Sequence, residues 1–196
     1  KSDLDRVTKA NISIRITDKF MVAVKNRTSF TLSFTRLETG ETITKEVDAY
    51  EMFHKMCEMN WDYAEPGMLF WDRINNWNLL SCDDEFEYAG TNPCAEEPLP
   101  AGGSCLLGSI NLSEFVCDTG FDFDDFKYCV KESVIALNEV LDEGLPLHPL
   151  KEQRESVYDW RQIGLGIFGL ADLLIKLGIK YGSPEAIDLC DMIGHI

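Results

Sequence analysis

A segment rich in proline and glycine, residues 89–112, limits how this chain can fold more than any other stretch. The prolines of its first half are Pro93, Pro98 and Pro100. Each proline removes a backbone hydrogen-bond donor and restricts the residue before it. Gly102 and Gly103, which follow, permit backbone angles that are closed to other residues. The segment therefore predicts a loop, and the rest of the chain is interpreted as the scaffold around it.

Side chains capable of chemistry alternate with small ones at the start of this loop. Asn92, Cys94 and Glu96 are separated by Pro93 and Ala95, so all three would project to one side of an extended segment. A thiol between an amide and a carboxylate suits covalent or radical chemistry, because the sulfur reacts, the carboxylate moves a proton and the amide orients a substrate hydroxyl. The alternative is a surface loop with an ordinary buried cysteine.

The cysteines are spaced as isolated thiols. They are Cys57, Cys82, Cys94, Cys105, Cys117, Cys129 and Cys190. None forms a close Cys-x-x-Cys pair and nothing in the sequence indicates secretion, so we expect most of them to be reduced. Cys105 follows the loop closely enough to act as a second thiol. His54 lies near Cys57 on a predicted helix, but two such groups do not make a metal site, and we predict none.

Composition and charge narrow the class of protein. With 196 residues and 45% hydrophobic content, the chain can bury one core or supply part of a larger one. Its net charge of −16 opposes binding to nucleic-acid polymers and to anionic membrane surfaces. No window has the uninterrupted apolar length of a membrane span, and the start of the chain is no signal peptide, so we expect a cytoplasmic location. We also expect the chain to be a piece of a longer protein.

Hydrophobic periodicity and capping residues predict a mixed α/β architecture. Predicted strands are 11–16, the hairpin 28–36 with 41–47, 68–71 and an extended stretch 110–116. Predicted helices are 18–25 capped by Thr17, 49–63 capped by Asp48, 122–143, 159–177, and a last helix that starts at Ser183-Pro184. The segments 81–87 and 146–149 are predicted to be connections.

One competing motif has the form G-x-G-x-x-G, Gly164–Gly169. In a strand-turn-helix context it would bind the pyrophosphate of a dinucleotide at a helix N-terminus. The preceding residues 151–162 are charged and not strand-like, and the following apolar residues predict a continuous helix. A dinucleotide-binding module therefore stays as a weaker alternative, beside a purely structural or interaction fragment.

The loop resembles the finger loop of the ribonucleotide reductase large chain, especially of its adenosylcobalamin-dependent class. The likeness rests on Asn92-Pro-Cys-Ala-Glu96 and on Gly103-Ser-Cys-Leu-Leu-Gly-Ser-Ile-Asn-Leu112. Segments 11–21, 66–75 and 161–181 resemble, in the same order, the family's strand and helix ahead of the loop, its next strand, and its helix and turn after the loop. The resemblance covers nearly the whole chain.

This resemblance implies a fold. Residues 1–196 would be a partial catalytic barrel domain of a longer protein, about half of a ten-stranded α/β barrel. The finger loop, about 89–112, would be threaded through the centre of that barrel. The barrel would shield the Cys94 sulfur from solvent.

The resemblance also implies roles for the loop residues in ribonucleotide reduction. Cys94 would be the thiyl-radical residue, Glu96 the base for the substrate's 3′ hydroxyl, and Asn92 a hydrogen-bonding residue that positions the substrate. Pro93 and Ala95 would complete the substrate-binding segment. Glu97 is a second carboxylate beside the first, and the motif favours Glu96.

Cys105 would be one member of the reducing dithiol, whose partner lies before the start of this chain, so Cys94 and Cys105 should not pair. The implied cofactor of the full-length protein is adenosylcobalamin, with none expected on this piece alone. The implied partners are a ribonucleoside di- or triphosphate, an external dithiol reductant such as thioredoxin or glutaredoxin, and a second copy in a homodimer. We expect this piece to be inactive by itself.

Overall fold

Helices and short strands alternate along the chain in the computed structural model, which describes residues 10–196. The predicted mixed α/β class is confirmed. The chain divides into two compact units, the first ending at Pro100 and the second comprising Ala101–Ile196. The finger-loop segment 89–112 therefore spans the boundary between the units.

The first unit contains six strands and three helices among its described residues. They are β1 (Ser13–Ile16), α1 (Asp18–Asn26), β2 (Ser29–Thr35), β3 (Thr42–Asp48), α2 (Ala49–Tyr63), β4 (Gly67–Phe70), α3 (Trp71–Asn76), β5 (Gly90–Thr91) and β6 (Pro98–Leu99). β1 pairs in parallel with β4, with Ser13 opposite Gly67. β2 and β3 form the predicted antiparallel hairpin, and β5 and β6 form a second, very short one.

Local capping chemistry sets the starts of α1 and α2, as the sequence predicts. The Thr17 hydroxyl accepts the Phe20 N–H at 3.2 Å, and the Asp48 carboxylate accepts the Glu51 N–H at 2.9 Å. The core is formed by Ile16, Phe20, Ala23, Val24, Ala49 and Met56. Within α2, Met56 is buried, whereas Trp61 is 90% exposed.

The second unit contains the longer helices. Its elements are β7 (Leu106–Asn111), a 3₁₀ helix (Leu112–Phe115), β8 (Val116–Cys117), β9 (Gly120–Phe121), α4 (Phe123–Gly144), a 3₁₀ turn (Leu145–Leu147), α5 (Lys151–Trp160), β10 (Ile163–Phe168), α6 (Leu170–Leu177) and α7 (Pro184–Gly194). β7 and β10 pair in parallel over six positions, with Leu106 opposite Ile163 and Asn111 opposite Phe168. β8 and β9 form a small antiparallel pair.

The core of the second unit lies where α6 and α7 pack near the 3₁₀ helix and α4. Leu112 and Leu173 are completely buried, and Leu174 is 2% exposed. Phe115 and Phe126 meet edge to face at 5.3 Å, an arrangement that aromatic rings prefer. The long helix α4 was correctly predicted, but its apolar stripe is only partly buried, since Val140 is 53% exposed.

Two sequence predictions in this unit are wrong. The predicted helix 159–177 is instead the end of α5, the strand β10 and the helix α6. Arg161 ends α5 in the left-handed conformation, with φ of 44°, and the glycines that follow favour an extended strand next to β7 over a helix. The extended stretch predicted over 110–116 is the end of β7 followed by a 3₁₀ helix.

The ten strands of residues 10–196 form five separate pairs, and these residues do not close into a barrel. The prediction was that the chain supplies about half of a ten-stranded barrel, and the structure of these residues confirms its α/β class but shows no closed barrel. None of its helices has the length and apolar character needed to cross a membrane.

Candidate active site

Three of the residues predicted to take part in the reaction lie at the tip of the short hairpin formed by β5 and β6: Asn92, Cys94 and Glu96. Asn92 holds the tip closed, because its N–H donates to the Glu97 carbonyl at 3.1 Å and its Oδ1 accepts the Glu97 N–H at 3.1 Å. The Ala95 N–H donates to the Asn92 carbonyl at 3.0 Å, which forms a turn. Ala95 adopts φ of 71°, an unusual angle for a residue other than glycine.

This geometry corrects the expectation of an extended segment. A turn separates Asn92 from Glu96, so their side chains do not follow the alternation of a strand. The cause is local: the Asn92 side chain bonds to backbone across the loop, a competition with regular structure that is common for asparagine. Asn92 thus stabilises the turn of the hairpin tip, a structural role that the motif alone did not indicate.

The expected shielding of Cys94 is not provided by the described residues. Cys94 and Glu96 are exposed, and Asn92 is half-buried. The physical reason is the position of the thiol at the tip of a two-strand hairpin, since loop tips run over protein surfaces.

Two cavities of the first unit flank this tip. Glu96 and Ala95 line a cavity of about 550 Å³, together with Arg73, Trp77 and Tyr88. The remaining lining residues of that cavity are Met68, Leu69, Phe70, Ile74 and Pro98. An apolar wall with a few convergent polar groups is typical of small-molecule sites.

The second cavity has a more polar lining. Asn92 and Pro93 line this space of about 300 Å³ with Ser13, Arg15 and Thr91. The Arg15 guanidinium also lies 4.0 Å from the centre of the Trp71 ring, within cation–π distance. The structure therefore places the predicted amide and the predicted base at different cavities of the same unit.

Cys105 belongs to the second unit and lies immediately before β7. It lines a cavity of about 350 Å³ with His148 and Gln162. Sequence reasoning missed both of these residues, because His148 fell in a predicted connection and Gln162 in a predicted helix. The available signal for His148 was its place between Pro146 and Pro149, because prolines hold a short connection in a fixed conformation and so fix the position of its side chain.

A polar network at the end of α5 fixes the residue next to Gln162. Arg161 donates to the Asn138 Oδ1 at 3.0 Å and to both Asp142 carboxylate oxygens, at 2.8 and 3.0 Å. The hydrogen bond from Arg161 lowers the pKa of the Asp142 carboxyl from its usual value. The same hydrogen bond raises the pKa of Arg161.

The first two glycines of the G-x-G-x-x-G motif lie inside a paired strand. Gly164 and Gly166 lie within β10, where they pair with β7. A Cβ atom on Gly164 would lie 2.7 Å from the Leu107 Cδ2 and 3.4 Å from the Cys105 Sγ. Because the first two glycines are inside the strand, they do not form the phosphate-binding turn between strand and helix that the dinucleotide alternative requires.

All seven cysteines lack a disulfide bond. The described residues contain no group of three or more histidine, cysteine or carboxylate side chains that could hold a metal ion.

Comparison with known proteins assigns the chain to a family. The model of the family described as "Ribonucleotide reductase, barrel domain" matches residues 1–195. The chain is 36% identical over 184 residues to a vitamin B12-dependent ribonucleoside-diphosphate reductase of Thermoplasma acidophilum, covering 93% of this chain and 23% of that protein. It is 37% identical over 179 residues to the enzyme of the same name from Mycobacterium tuberculosis, covering 91% and 25%.

A vitamin B12-dependent ribonucleotide reductase of Streptomyces coelicolor is 36% identical over 179 residues, covering 89% of this chain and 18% of that protein. The chain thus spans a quarter or less of the length of these relatives. Since the family model extends over almost every residue, this chain belongs to the ribonucleotide reductase barrel-domain family.

Proposed function

We propose that this chain is part of a ribonucleotide reductase and carries the residue that starts the reduction of the sugar. The observation that carries the proposal is the motif Asn92-Pro-Cys-Ala-Glu96, followed by Cys105, within a chain that the barrel-domain family model matches from residue 1 to 195. The relatives are named as vitamin B12-dependent reductases, which supports adenosylcobalamin as the cofactor of the full-length protein.

The two parallel strand pairs support the view that these residues are part of a larger sheet. Parallel sheets are normally buried on both faces and have more than two strands. Here, however, Leu107 of β7 is 67% exposed, and Ile167 and Phe168 of β10 are 54% and 55% exposed. We infer that further strands and helices of the full-length barrel cover these side chains and also shield the tip that carries Cys94.

In the proposed reaction, the Cys94 thiyl sulfur removes a hydrogen atom from the 3′ carbon of the ribonucleotide. Glu96 accepts the proton of the 3′ hydroxyl, and Asn92 binds and orients the substrate. Pro93 and Ala95 complete the substrate-binding segment. The 2′ hydroxyl then takes up one proton from the dithiol formed by Cys105 and a second cysteine outside this chain, and leaves as water.

Cys105 and the second cysteine supply two electrons and their remaining proton to the 2′ carbon and become a disulfide. Glu96 returns its proton to the 3′ oxygen. The hydrogen atom then returns from Cys94 to the 3′ carbon. An external dithiol restores the two thiols by exchange. A dithiol protein such as thioredoxin or glutaredoxin would fit this role, and the full-length protein would be a homodimer in the cytoplasm.

The cofactor would supply the unpaired electron that side chains cannot generate unaided. The Cys94 thiol is exposed among the described residues, so these residues leave room beside it for such a group inside the larger barrel. We infer that the isolated 196 residues do not turn over, since the second cysteine and the residues that hold the substrate's phosphates would lie outside them.

The decisive experiment replaces Cys94 by serine in the full-length protein and measures deoxynucleotide formation. We expect activity to disappear, because a hydroxyl does not replace the thiol in hydrogen-atom transfer. Cys82→Ser is the matched control, since Cys82 is also an exposed cysteine of the first unit but lies outside the motif. Turnover that survives in the Cys94 variant would reject the radical role.

The exposure of Cys94 is the one observation that favours a structural or interaction fragment instead. Thiol alkylation of the full-length protein separates the two possibilities. In a reductase, we expect Cys94 to be protected by the barrel and to become reactive when the protein unfolds. In a structural fragment, Cys94 would stay on an open surface and its loss would leave any activity unchanged.

A further inference from the structure

We propose that Arg161 is a positioning residue for Cys105, because its side chain fixes the main chain that holds the thiol. The role of Cys105 as one of two reducing thiols rests on the proposed function. Arg161 does not react itself. It acts through the backbone, by holding Cys105 where the second thiol can meet it.

A short run of main chain connects Arg161 to the thiol. The Leu106 N–H donates to the Gln162 carbonyl at 3.0 Å, and these two residues directly follow Cys105 and Arg161 in the sequence. Leu106 also begins the pairing of β7 with β10, opposite Ile163. The peptide bond fixes the spacing of neighbouring residues, so the place of the Arg161 main chain limits where Cys105 can lie.

The Cys105 sulfur also lies against the beginning of β10. A Cβ atom added to Gly164 would lie 3.4 Å from the Cys105 Sγ. Cys105 and Gln162 line the same cavity, of about 350 Å³. A shift of the first residues of β10 would therefore displace the sulfur as well as the main chain of Cys105.

The Arg161 side chain ties this part of the chain to the long helix α4. Its Nε donates to the Asn138 Oδ1 at 3.0 Å, and its Nη2 donates to the Asn138 carbonyl at 3.3 Å. The Nη1 and Nη2 groups donate to the two carboxylate oxygens of Asp142, at 2.8 and 3.0 Å. A guanidinium bound in this bidentate way is held in one orientation, because its planar donors match the carboxylate.

The helix α4 is in turn packed on β7, the strand that follows Cys105. A Cβ atom added to Gly108 would lie 3.4 Å from the Leu137 Cδ2, so α4 meets β7 one residue before Asn138. β7 pairs with β10, and the guanidinium joins the residues just before β10 back to α4. These three elements thus form a closed set of contacts around the position of Cys105.

The backbone of Arg161 is an independent observation. Arg161 ends α5 in the left-handed conformation, with φ of 44°. Glycine is the residue usually found at such a helix end, since a Cβ atom is unfavourable there. An arginine carries that cost, which its bonds to Asn138 and Asp142 offset. Glycine would suit the backbone and lose the connection to α4, which makes Arg161→Gly a direct test.

A fixed position matters for this thiol because disulfide bonds have a narrow geometry. A thiol held within reach of its partner has a high effective concentration, whereas a thiol on a loosened strand end must be brought into place in each reaction. Arg161 therefore favours the disulfide of Cys105 over the two separate thiols, which makes the dithiol the stronger reductant.

The test measures the reduction potential of the Cys105 disulfide in the full-length protein. The protein is equilibrated with mixtures of reduced and oxidised glutathione, free thiols are alkylated, and peptide mass spectrometry reports the fraction of Cys105 in a protein disulfide. In each exchange two protein thiols become a disulfide, and one oxidised glutathione becomes two reduced molecules. In Arg161→Gly, we expect the equilibrium constant for disulfide formation to fall about tenfold, which corresponds to a potential about 30 mV higher.

Arg27→Gly is the matched control. Arg27 also ends a helix in the left-handed conformation, with φ of 52°, but it belongs to the first unit and its guanidinium lies 4.1 Å from the centre of the Tyr50 ring. Its replacement should leave the potential of Cys105 unchanged. Arg161→Lys keeps a positive charge for Asp142 but not the bidentate fork, so its potential should lie between those of the wild type and Arg161→Gly. Equal potentials in the wild type and in Arg161→Gly would overturn the proposal.

Cys129 reports on the fold, because it is a partly buried thiol of the same unit. If Arg161→Gly makes Cys129 more reactive toward alkylation, the substitution has loosened the unit, and Asn138→Ala then decides. That variant removes the acceptor of the Arg161 Nε, keeps the pair with Asp142 and places a good helix former in α4. A higher potential of Cys105 there would support the proposal, and an unchanged one would overturn it.

The measurement needs no nucleotide, so its failure is distinct from surviving turnover of the Cys94 variant. A wild-type protein in which Cys105 forms no protein disulfide would overturn the dithiol role of Cys105 and this proposal with it. A disulfide that forms equally well with and without the Arg161 side chain would overturn this proposal alone.

Discussion

Replacing Gly169 by alanine should destabilise the second unit far more than the same change at another left-handed glycine. Gly169 precedes α6 with φ of 74°, and an added Cβ would lie 2.1 Å from the Asn111 Oδ1. That oxygen accepts hydrogen bonds from the Ser113 N–H at 3.2 Å and from the Ser113 hydroxyl at 3.1 Å. The Asn111 side chain would have to move and give up both bonds.

The magnitude follows from two contributions. A left-handed alanine costs about 1–2 kcal/mol relative to glycine. Each of the two hydrogen bonds contributes about 1 kcal/mol, and Ser113 is buried, so its polar groups would not regain water as partners. The free energy of unfolding should therefore fall by about 3–4 kcal/mol.

The matched control is Gly178→Ala. Gly178 ends the same helix, α6, with φ of 70°, but nothing lies within 4 Å of its added Cβ. Only the backbone cost of about 1–2 kcal/mol applies there. Urea unfolding of both variants in the full-length protein, followed by circular dichroism, measures the difference. Equal losses of stability in the two variants would refute the argument that contact with Asn111 requires glycine at position 169.

Two further outcomes follow from the structure. Asp142→Asn removes the pair with Arg161. Because this pair lowers the pKa of the Asp142 carboxyl in the folded state, it stabilises the protein above the ordinary carboxyl pKa of about 4. That stabilisation is lost as the pH falls through the lower pKa of the folded state. Thermal melting should therefore separate variant from wild type at pH 7, with the difference shrinking as the pH falls below the ordinary carboxyl pKa of about 4, and a constant difference at every pH would contradict this. Asp122→Ala removes the carboxylate that accepts the Asp125 N–H at 3.0 Å at the start of α4, and should cost about 1 kcal/mol in urea unfolding. Asp118→Ala, in the neighbouring turn, is its control and should change little.

Capping residues predicted helix starts well because their effect is local. Thr17, Asp48 and Ser183 each accept a backbone N–H at the start of the helix that the sequence placed after them. Asp122, predicted as the first residue of the helix 122–143, does the same for α4. Such a bond needs only residues within one turn of each other, so it can be read from the chain itself.

The strand β10 could not be predicted in this way. Its residues Ile163–Phe168 are apolar enough for either a buried helix or a buried strand, and the choice is made by pairing with β7 more than fifty positions earlier. The close contact that an added Cβ at Gly169 would make with Asn111 shows why glycine stands directly after this strand. The same distant packing brings His148 and Gln162 to the cavity of Cys105.

The sequence by itself determined the family, the motif around Cys94 and most of the secondary structure, because these depend on residue identity and on neighbours along the chain. Tertiary structure alone decided that the hairpin tip is a turn stabilised by Asn92, that Glu96 and Asn92 line different cavities, and that His148 lines the same cavity as Cys105. The physical reason is that side-chain surroundings are set by contacts between residues distant in sequence, which no local pattern encodes.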